Sequence, residues 1–418
     1  MNLESLNNPY KTILMAQDKD QKTLNVPPLR FPGFTDEWKR STLKDYLIEN
    51  KERNSRGEFS KDEVLSVSGD KGIVNQIQLL GRSYAGQSVM PYHIVRRNNI
   101  VYTKSPLSEF PYGIVKMNRG KDGIVSTLYA VYSVLDSADS SFIEYYFASK
   151  DRTNRYFKPI VRIGAKHDMK IGNTEVLENQ VNFPDKTEQC RISEFLELID
   201  ERIATQNKII DNLQSLIKGL TKSHYDSCQT LHSVKIHELG EPYTVMNLSK
   251  EQLSDSGVPC ILYGELFTQY GPVIEDVISK TNVTRNLTFS RGNDLLFPSS
   301  TTVDALSLIA PSALTKPNII LGGDMFGIKV SDDYSPEYLS LYFNYIGERD
   351  LAKYAIGSTI IHLHYKDIAE HIIRIPSIGE QQRFVKLASF VKRKIDVERS
   401  ILHNLTEMKA YLLQNMFI

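Results

Sequence analysis

Two short stretches place residues with catalytic chemistry near one another. Residues 81–88 have the spacing of a phosphate-binding loop, but Gln87 stands where that loop needs a Lys to neutralise the β and γ phosphates. Asp185 and Glu188 resemble part of a nuclease metal site, yet Cys190 occupies the position of its Lys. We interpret the first as a turn-rich loop and the two carboxylates as acidic residues at a helix start.

Two further stretches resemble parts of catalytic or metal sites but lack the other residues that such sites need. Residues 8–10 (Asn-Pro-Tyr) miss one Pro of an amino-methyltransferase motif, and no Gly-rich cofactor loop accompanies them. His362 and His364 have no third ligand at metal spacing, so they are interpreted as surface or hydrogen-bonding residues. The sequence predicts no catalytic residue, no metal site and no cofactor bound by this chain.

The composition is that of a globular protein of several domains. At about 150 residues per domain, 418 residues suggest two or three domains. Lys+Arg and Asp+Glu both number 50, which argues against a protein that coats nucleic acid through bulk positive charge. No apolar run reaches the ~18 residues of a membrane span, and three scattered Cys fit a reducing compartment. We expect a cytoplasmic protein.

Two mixed regions alternate with two helical regions. After a polar leader (1–29), residues 30–184 combine strand patterns at 100–103 and 129–134 with a helix near 141–157. Residues 226–378 repeat this texture, with strand patterns at 294–297 and 326–330 and a helix at 336–354. The expected fold class is α+β.

The helical regions, 185–225 and 379–418, carry apolar residues spaced alternately by four and three. This spacing predicts coiled-coil seams. The first seam is interrupted by Gln206 and the second by Glu398 and Lys409. The apolar seam residues are Ile192, Leu196, Ile199, Ile203, Ile210, Leu213, Ile217 and Leu220, then Phe384, Ala388, Val391, Ile395, Leu402, Leu405 and Leu412.

The second half of the chain repeats the first at an offset of 192 residues. Glu188-Gln189 aligns with Glu380-Gln381, Pro184 with Pro376, and each Pro follows a short strand pattern. A duplicated domain favours a pseudo-two-fold molecule whose helices pair antiparallel as a rod about 50 Å long. A parallel pair needs a longer connection, which 226–378 could supply. In the antiparallel arrangement Gln206 and Glu398 face each other and fix the register.

The chain resembles the specificity subunits of type I restriction-modification systems. The resemblance rests on the half-repeat, on the junction Pro-x₃-Glu-Gln-x-Arg at 184–191 and 376–383, and on the opening Leu-Arg-Phe-Pro-Gly-Phe-Thr-Asp-Glu-Trp at 29–38. Cys190 and Gln382 differ between the two junctions.

The resemblance implies a non-catalytic adaptor. In the family, 30–184 and 226–378 correspond to target recognition domains, each of which reads half of a split double-stranded DNA target. The helices form an antiparallel coiled coil that sets the gap and holds two methyltransferase subunits. Those subunits use S-adenosylmethionine to methylate adenine, and two restriction subunits use ATP and Mg for translocation and cleavage.

Candidate DNA contacts follow from the chemistry of phosphates and base edges. A solvated helix face explains the basic residues at 152–158 equally well. The Gly-containing turn at 162–167 is less easily dismissed, because Gly lets the backbone approach a phosphate. The candidates are Lys104, Ser105, Arg152, Arg155, Arg162, Lys166 and His167 in the first half, and Ser299, Ser300, Thr301, Thr302, Ser358 and Thr359 in the second.

Two alternatives remain, a stand-alone DNA methyltransferase or nuclease and a coiled-coil scaffold that binds no DNA. The zero net charge conceals an asymmetry, because residues 30–184 carry +5 and residues 226–378 carry −7. We therefore expect weak DNA binding by the chain alone, with affinity supplied in part by the modification subunits.

Overall fold

The computed structural model describes residues 25–163 and 169–418, which divide into two compact units. Unit 1 consists of residues 25–204 and His403–Ile418, and unit 2 is Thr205–Leu402. Most of the leader expected at 1–29 lies outside the described residues. Each unit combines short strands with one part of each of two long helices, so the fold is α+β as predicted.

Unit 1 is built around a four-stranded antiparallel sheet in the order β2-β9-β6-β7, with Val101 opposite Val131. Its strands are β1 (Lys39–Thr42), β2 (Leu47–Glu49), β3 (Leu65–Ser68), β4 (Gly72–Asn75), β5 (His93–Val95), β6 (Ile100–Thr103), β7 (Val115–Met117), β8 (Gly123–Val125), β9 (Tyr129–Val134), β10 (Arg162–Ile163), β11 (Met169–Lys170) and β12 (Gln180–Phe183). Its shorter helices are α1 (Gln76–Leu80), α2 (Ser140–Tyr146) and α3 (Lys150–Phe157).

Aromatic side chains fill the core of unit 1. Tyr102 on β6 stacks on Phe157 of α3 with ring centroids 4.5 Å apart. Phe142 on α2 meets Phe183 edge-on at 5.0 Å and also contacts Phe417 near the C-terminus. The last residues of the chain therefore belong to the core of the first globular region.

Unit 2 contains two five-stranded sheets, β14-β24-β20-β22-β17 and β15-β18-β16-β23-β19. Its strands are β13 (His232–Lys235), β14 (Gly240–Thr244), β15 (Leu253–Ser254), β16 (Val258–Leu262), β17 (Val273–Ile274), β18 (Lys280–Thr281), β19 (Thr288–Arg291), β20 (Asp294–Pro298), β21 (Ser300–Thr301), β22 (Ser312–Leu314), β23 (Pro317–Gly322), β24 (Met325–Val330), β25 (Ile361–His362) and β26 (Ile372–Ile375). Its shorter helices are α5 (Glu265–Thr268), α6 (Pro336–Tyr345), α7 (Glu348–Leu351) and α8 (Tyr365–Ile368).

The two units repeat the same framework. β1 pairs antiparallel with β12 in unit 1, and β13 pairs antiparallel with β26 in unit 2. Phe297 on β20 stacks on Phe326 with ring centroids 5.0 Å apart and also contacts Phe343 of α6. Phe297 occupies the position on β20 that Tyr102 occupies on β6. Each globular region thus begins and ends on neighbouring strands, around an aromatic residue on its central strand.

Two predicted helices are broken into shorter ones. The helix expected at 141–157 forms α2 and α3, because Asp139 and Ser149 each cap a separate start by accepting backbone N–H groups. The helix expected at 336–354 ends at Tyr345, and Gly347 precedes α7 and a 3₁₀ turn at Ala352–Tyr354. The periodicity indicated helical conformation but did not locate the internal caps.

The two long helices confirm the predicted seams. Helix α4 (Lys186–Ser227) follows β12 in the sequence, and helix α9 (Ile378–Asn415) follows β26. Within unit 2 they run antiparallel, since Gln206 contacts Glu398 while His224 stacks on Phe384 at 4.4 Å. Nine apolar seam residues are buried, and six are half-buried, namely Ile203, Leu213, Leu220, Val391, Leu402 and Leu405.

The polar pair predicted in the seam is present inside unit 2. Gln206 Nε2 donates to the Glu398 carboxylate and, at 3.1 Å, to the Glu398 backbone carbonyl. Both side chains are buried, and Lys394 forms an ion pair with Glu398 one helical turn away. The buried amide donor and the buried carboxylate favour this register, because a shifted register leaves both groups against apolar neighbours.

Removing one member of the pair should cost more than removing both. Gln206→Leu removes the amide that donates to the buried carboxylate, so the free energy of unfolding should fall by about 1–3 kcal/mol. Gln206→Leu combined with Glu398→Leu should restore most of this loss, because an apolar pair suits the seam. Urea unfolding followed by circular dichroism measures both. A double variant less stable than either single variant would contradict this account.

Candidate nucleic-acid interface

In unit 1 the loop after β6 packs against the segment around β11. Lys104 Nζ donates to Asn173 Oδ1, and Asn173 Nδ2 donates to Glu49 Oε1 at 2.8 Å. Tyr102 Oη lies 3.8 Å from Met169 Sδ. Lys104 is half-buried, and burial lowers the pKa of its ammonium group. Ser105 is exposed beside this network.

In unit 2 the loop after β20 lies against the corresponding hairpin. β21 pairs antiparallel with β25, so that Thr301 stands opposite Ile361. Ile356 bridges to His362 across the turn that contains Ser358 and Thr359. The two candidate segments of the second half, far apart in sequence, are therefore neighbours.

Both halves thus bring together the same two elements, the loop after the central strand and the hairpin that precedes the last strand. In unit 1 these are the loop at 104–105 and the β10–β11 hairpin, and in unit 2 they are the loop at 299–302 and the hairpin at 356–362. Equivalent placement within a duplicated fold supports a shared role for the two edges.

Arg152 does not belong to an exposed surface, so its assignment as a DNA contact is wrong. Its side chain is 6% exposed, and its Nε donates to the Tyr146 carbonyl at 2.9 Å. The guanidinium lies 4.7 Å from the centre of the Phe417 ring, and burial lowers its pKa to about 10. The helix face that carries Arg152 packs inward, against the C-terminal residues of the chain.

The other basic candidates have different environments. Arg155 and Arg162 are exposed and available to a phosphate. Lys166 and His167 lie outside the described residues. Their assignment as DNA contacts stays a prediction, as does that of Lys104 and Ser105.

The hydroxyl candidates divide in the same way. Ser299 and Ser300 are only 5% and 8% exposed, so their side chains support the loop and do not form its surface. Thr301 is half-buried, and its Oγ1 accepts from the Val303 amide at 3.2 Å. Thr302, Ser358 and Thr359 are exposed and remain candidates for base contacts.

The Glu-Gln junction has a structural role that its sequence alone did not reveal. Gln189 Oε1 accepts from the amide of Asp139, the cap of α2, and Gln189 Nε2 donates to the Pro184 carbonyl at 3.0 Å. In the other half, Gln381 makes the corresponding bonds to Ser335 and Pro376, at 3.0 and 2.8 Å. Each Gln is buried and fastens the start of a long helix to the helix cap of its globular region.

Comparison with known proteins agrees with this duplicated architecture. Residues 243–407 match the family model of the type I restriction modification DNA specificity domain. The junction, the strand pairings and the interface elements described above repeat that domain in unit 1. Residues 243–407 of this chain are therefore similar to a type I DNA specificity domain. A comparison with curated proteins found no significant relative.

Solved structures of the family have the same fold. The S subunit of a type I restriction-modification system from M. genitalium is 15% identical, with a TM-score of 0.54, over 94% of this chain and 99% of that chain. A chain from a study of complex assembly and conformational transition of the type I R-M system is 13% identical, with a TM-score of 0.53 and the same coverage.

Two further features of the described residues concern metals and membranes. Among residues 25–163 and 169–418, no three His, Cys, Asp or Glu side chains are grouped closely enough to hold a metal ion. The helices in the described part of the chain are too polar or too short to cross a bilayer.

Arg152 and Arg155 offer a matched pair of substitutions. Arg155→Ala should weaken DNA binding by the assembled complex several-fold, more at low salt, and leave the melting temperature unchanged. Arg152→Ala should lower the melting temperature by several degrees, because it removes a buried hydrogen bond and its contact with Phe417. Fluorescence anisotropy and thermal unfolding separate the two effects. Equal losses of stability would contradict the assignment.

Proposed function

We propose that this specificity subunit reads a bipartite double-stranded DNA target, one half with each unit, and holds two methyltransferase subunits that methylate adenine within that target. The observation that carries the proposal is the duplication of the interface, in which equivalent loops lie against equivalent hairpins. Two copies of one reading surface in one chain suit a target with two parts.

The chemistry of the reaction is assigned to the partners. Methyl transfer would use S-adenosylmethionine bound by the modification subunits, and ATP-dependent cleavage with Mg would belong to two restriction subunits. This chain would contribute sequence choice and assembly. The exposed Arg155 and Arg162 of unit 1 suit phosphate contacts, whereas the acidic region 226–378 suits contacts through hydroxyl and apolar groups.

The helices carry a surface suited to the partners. Seven large apolar side chains on α4 and α9 are 42–63% exposed, and each comes one residue before a seam position. In unit 2, where the helices run antiparallel, this places Leu216 and Leu387 on the same side of the pair. We call the set the helical stripe, and it consists of Leu198, Met408 and Tyr411 in unit 1 and Leu216, Leu387, Phe390 and Val397 in unit 2.

The stripe follows the internal repeat. Leu198 corresponds to Phe390 and Leu216 to Met408 at the offset of 192 residues. Exposed apolar side chains that recur at the two heptad positions just before the seam residues mark a protein contact more often than chance exposure. Two equivalent patches in one chain support two copies of the same partner, one for each unit.

The defining experiment compares the methylomes of cells with and without this chain. Deletion should remove one bipartite adenine-methylated motif, and exchange of residues 226–378 for the corresponding region of a relative should change only one half of it. Single-molecule sequencing reads both. An unchanged methylome with an active modification partner would overturn the proposal. Methyl transfer by the purified chain alone would favour the stand-alone methyltransferase.

Substitutions in the helical stripe test the assembly. Leu216→Glu with Phe390→Glu should remove one of two modification subunits, because a charge in an apolar contact lowers affinity about 30-fold or more. Adding Leu198→Glu and Met408→Glu should remove the second. Native mass spectrometry counts the subunits. Gln214→Glu adds the same charge on the other side of the seam and should leave both bound. Retention of both subunits by the fourfold variant would exclude the stripe.

A further inference from the structure

The edge of unit 2 formed by β21 and β25 carries three exposed aliphatic side chains. Val303 is 72% exposed, Ile356 70% and Ile360 49%. The pairing of β21 with β25 and the bridge at the base of the hairpin place them on neighbouring segments. Exposure of three branched aliphatic residues at one edge is unfavourable in water and indicates that a ligand covers them.

The two segments that carry these side chains contain no basic residue, and the nearest charged groups are acidic, since Asp304 follows Val303 and Asp324 lies 4.0 Å from His362. Residues 299–303 read Ser-Ser-Thr-Thr-Val and residues 355–361 read Ala-Ile-Gly-Ser-Thr-Ile-Ile, without a single Lys, Arg, Asp or Glu. The corresponding segment of unit 1, 162–170, contains three Lys or Arg residues and one Asp. An edge without basic residues offers little to a phosphate, but its methyl and hydroxyl groups match what the major groove presents at base edges.

The hairpin fixes these side chains. Gly357 has a φ of +132°, and a Cβ at that position would lie 2.0 Å from the Ile360 carbonyl oxygen, so only Gly permits so tight a turn. Val and Ile are also stiff at χ1. Ile356 and Ile360 therefore present their methyl groups in a set geometry, at little further cost in conformational entropy on binding.

We propose that Val303, Ile356 and Ile360 read thymine in the half-target of unit 2, by packing against the C5-methyl groups of thymine in the major groove. This inference rests on the proposed function and adds a base chemistry to it. DNA is the occupant favoured by the repeat, because the equivalent edge of unit 1 carries the exposed, cationic Arg162. A thymine methyl is the one apolar group that a base pair exposes in that groove.

The test uses the complete complex with its modification subunits and duplexes that carry the methylated motif. In one duplex, uracil replaces thymine only in the half assigned to unit 2 by the exchange of residues 226–378. Uracil lacks the methyl group and keeps every hydrogen-bonding position. Binding by the wild-type complex should weaken about fourfold for each methyl contacted, the equivalent of one buried CH₂. Uracil in the half-target of unit 1 should not change the contribution of Val303, Ile356 and Ile360 to binding.

Variants connect the methyl groups to the side chains. Ile360→Ala and Ile356→Ala should weaken binding to the thymine duplex and lose most of the difference between thymine and uracil. Ile372→Ala is the control, because Ile372 is also exposed, at 55%, but lies on β26, outside this edge. Ile372→Ala should retain the full uracil penalty.

Each contrary outcome identifies what fails. A half-target without thymine, or the same uracil penalty in the variants as in wild type, would overturn the inference and leave the bipartite reading intact. If the variants keep the uracil penalty but lose a modification subunit, the edge is a protein contact. Loss of binding on replacing guanine with inosine, which removes a minor-groove amino group, would assign it to the other groove. Absence of any bipartite motif would instead refute the proposed function itself.

Discussion

The arrangement of each unit depends on one buried side chain, the glutamine near the start of each long helix. Gln189 and Gln381 use both ends of the amide, accepting from a helix cap and donating to the carbonyl of the preceding Pro. A buried amide left without these partners would cost about 1–3 kcal/mol. The bonds therefore fix the direction in which each helix leaves its globular region, and with it the place of every seam residue that follows.

The elements predicted from sequence were those with strong local periodicity. The strands at 100–103, 129–134, 180–183 and 372–375 occur where alternation and β-branched residues indicated them, and nine of the fifteen apolar seam residues are buried. The antiparallel pairing within unit 2 followed from the repeat. These features depend on neighbouring residues or on the internal repeat, so one amino-acid sequence is enough to predict them.

The candidate interface was harder to predict, because it depends on which face of a short element packs inward. Arg152 and Arg155 lie three residues apart on α3, yet one contacts Phe417 and the other is exposed. Ser299 and Ser300 have the chemistry of base contacts but are buried, and the hairpin at 356–362 pairs with Ser300 and Thr301. Only long-range contacts decide these cases, and composition carries no signal of them.

The pairing of the first and last strands of each globular region has a consequence for variation. β1 and β12 in unit 1, like β13 and β26 in unit 2, bring the two points of attachment of a region onto adjacent strands. A different region with the same two strands could be joined to the same helices without moving either point. Recombination at these strands would therefore exchange a whole globular region as a cassette, without any change in the two long helices.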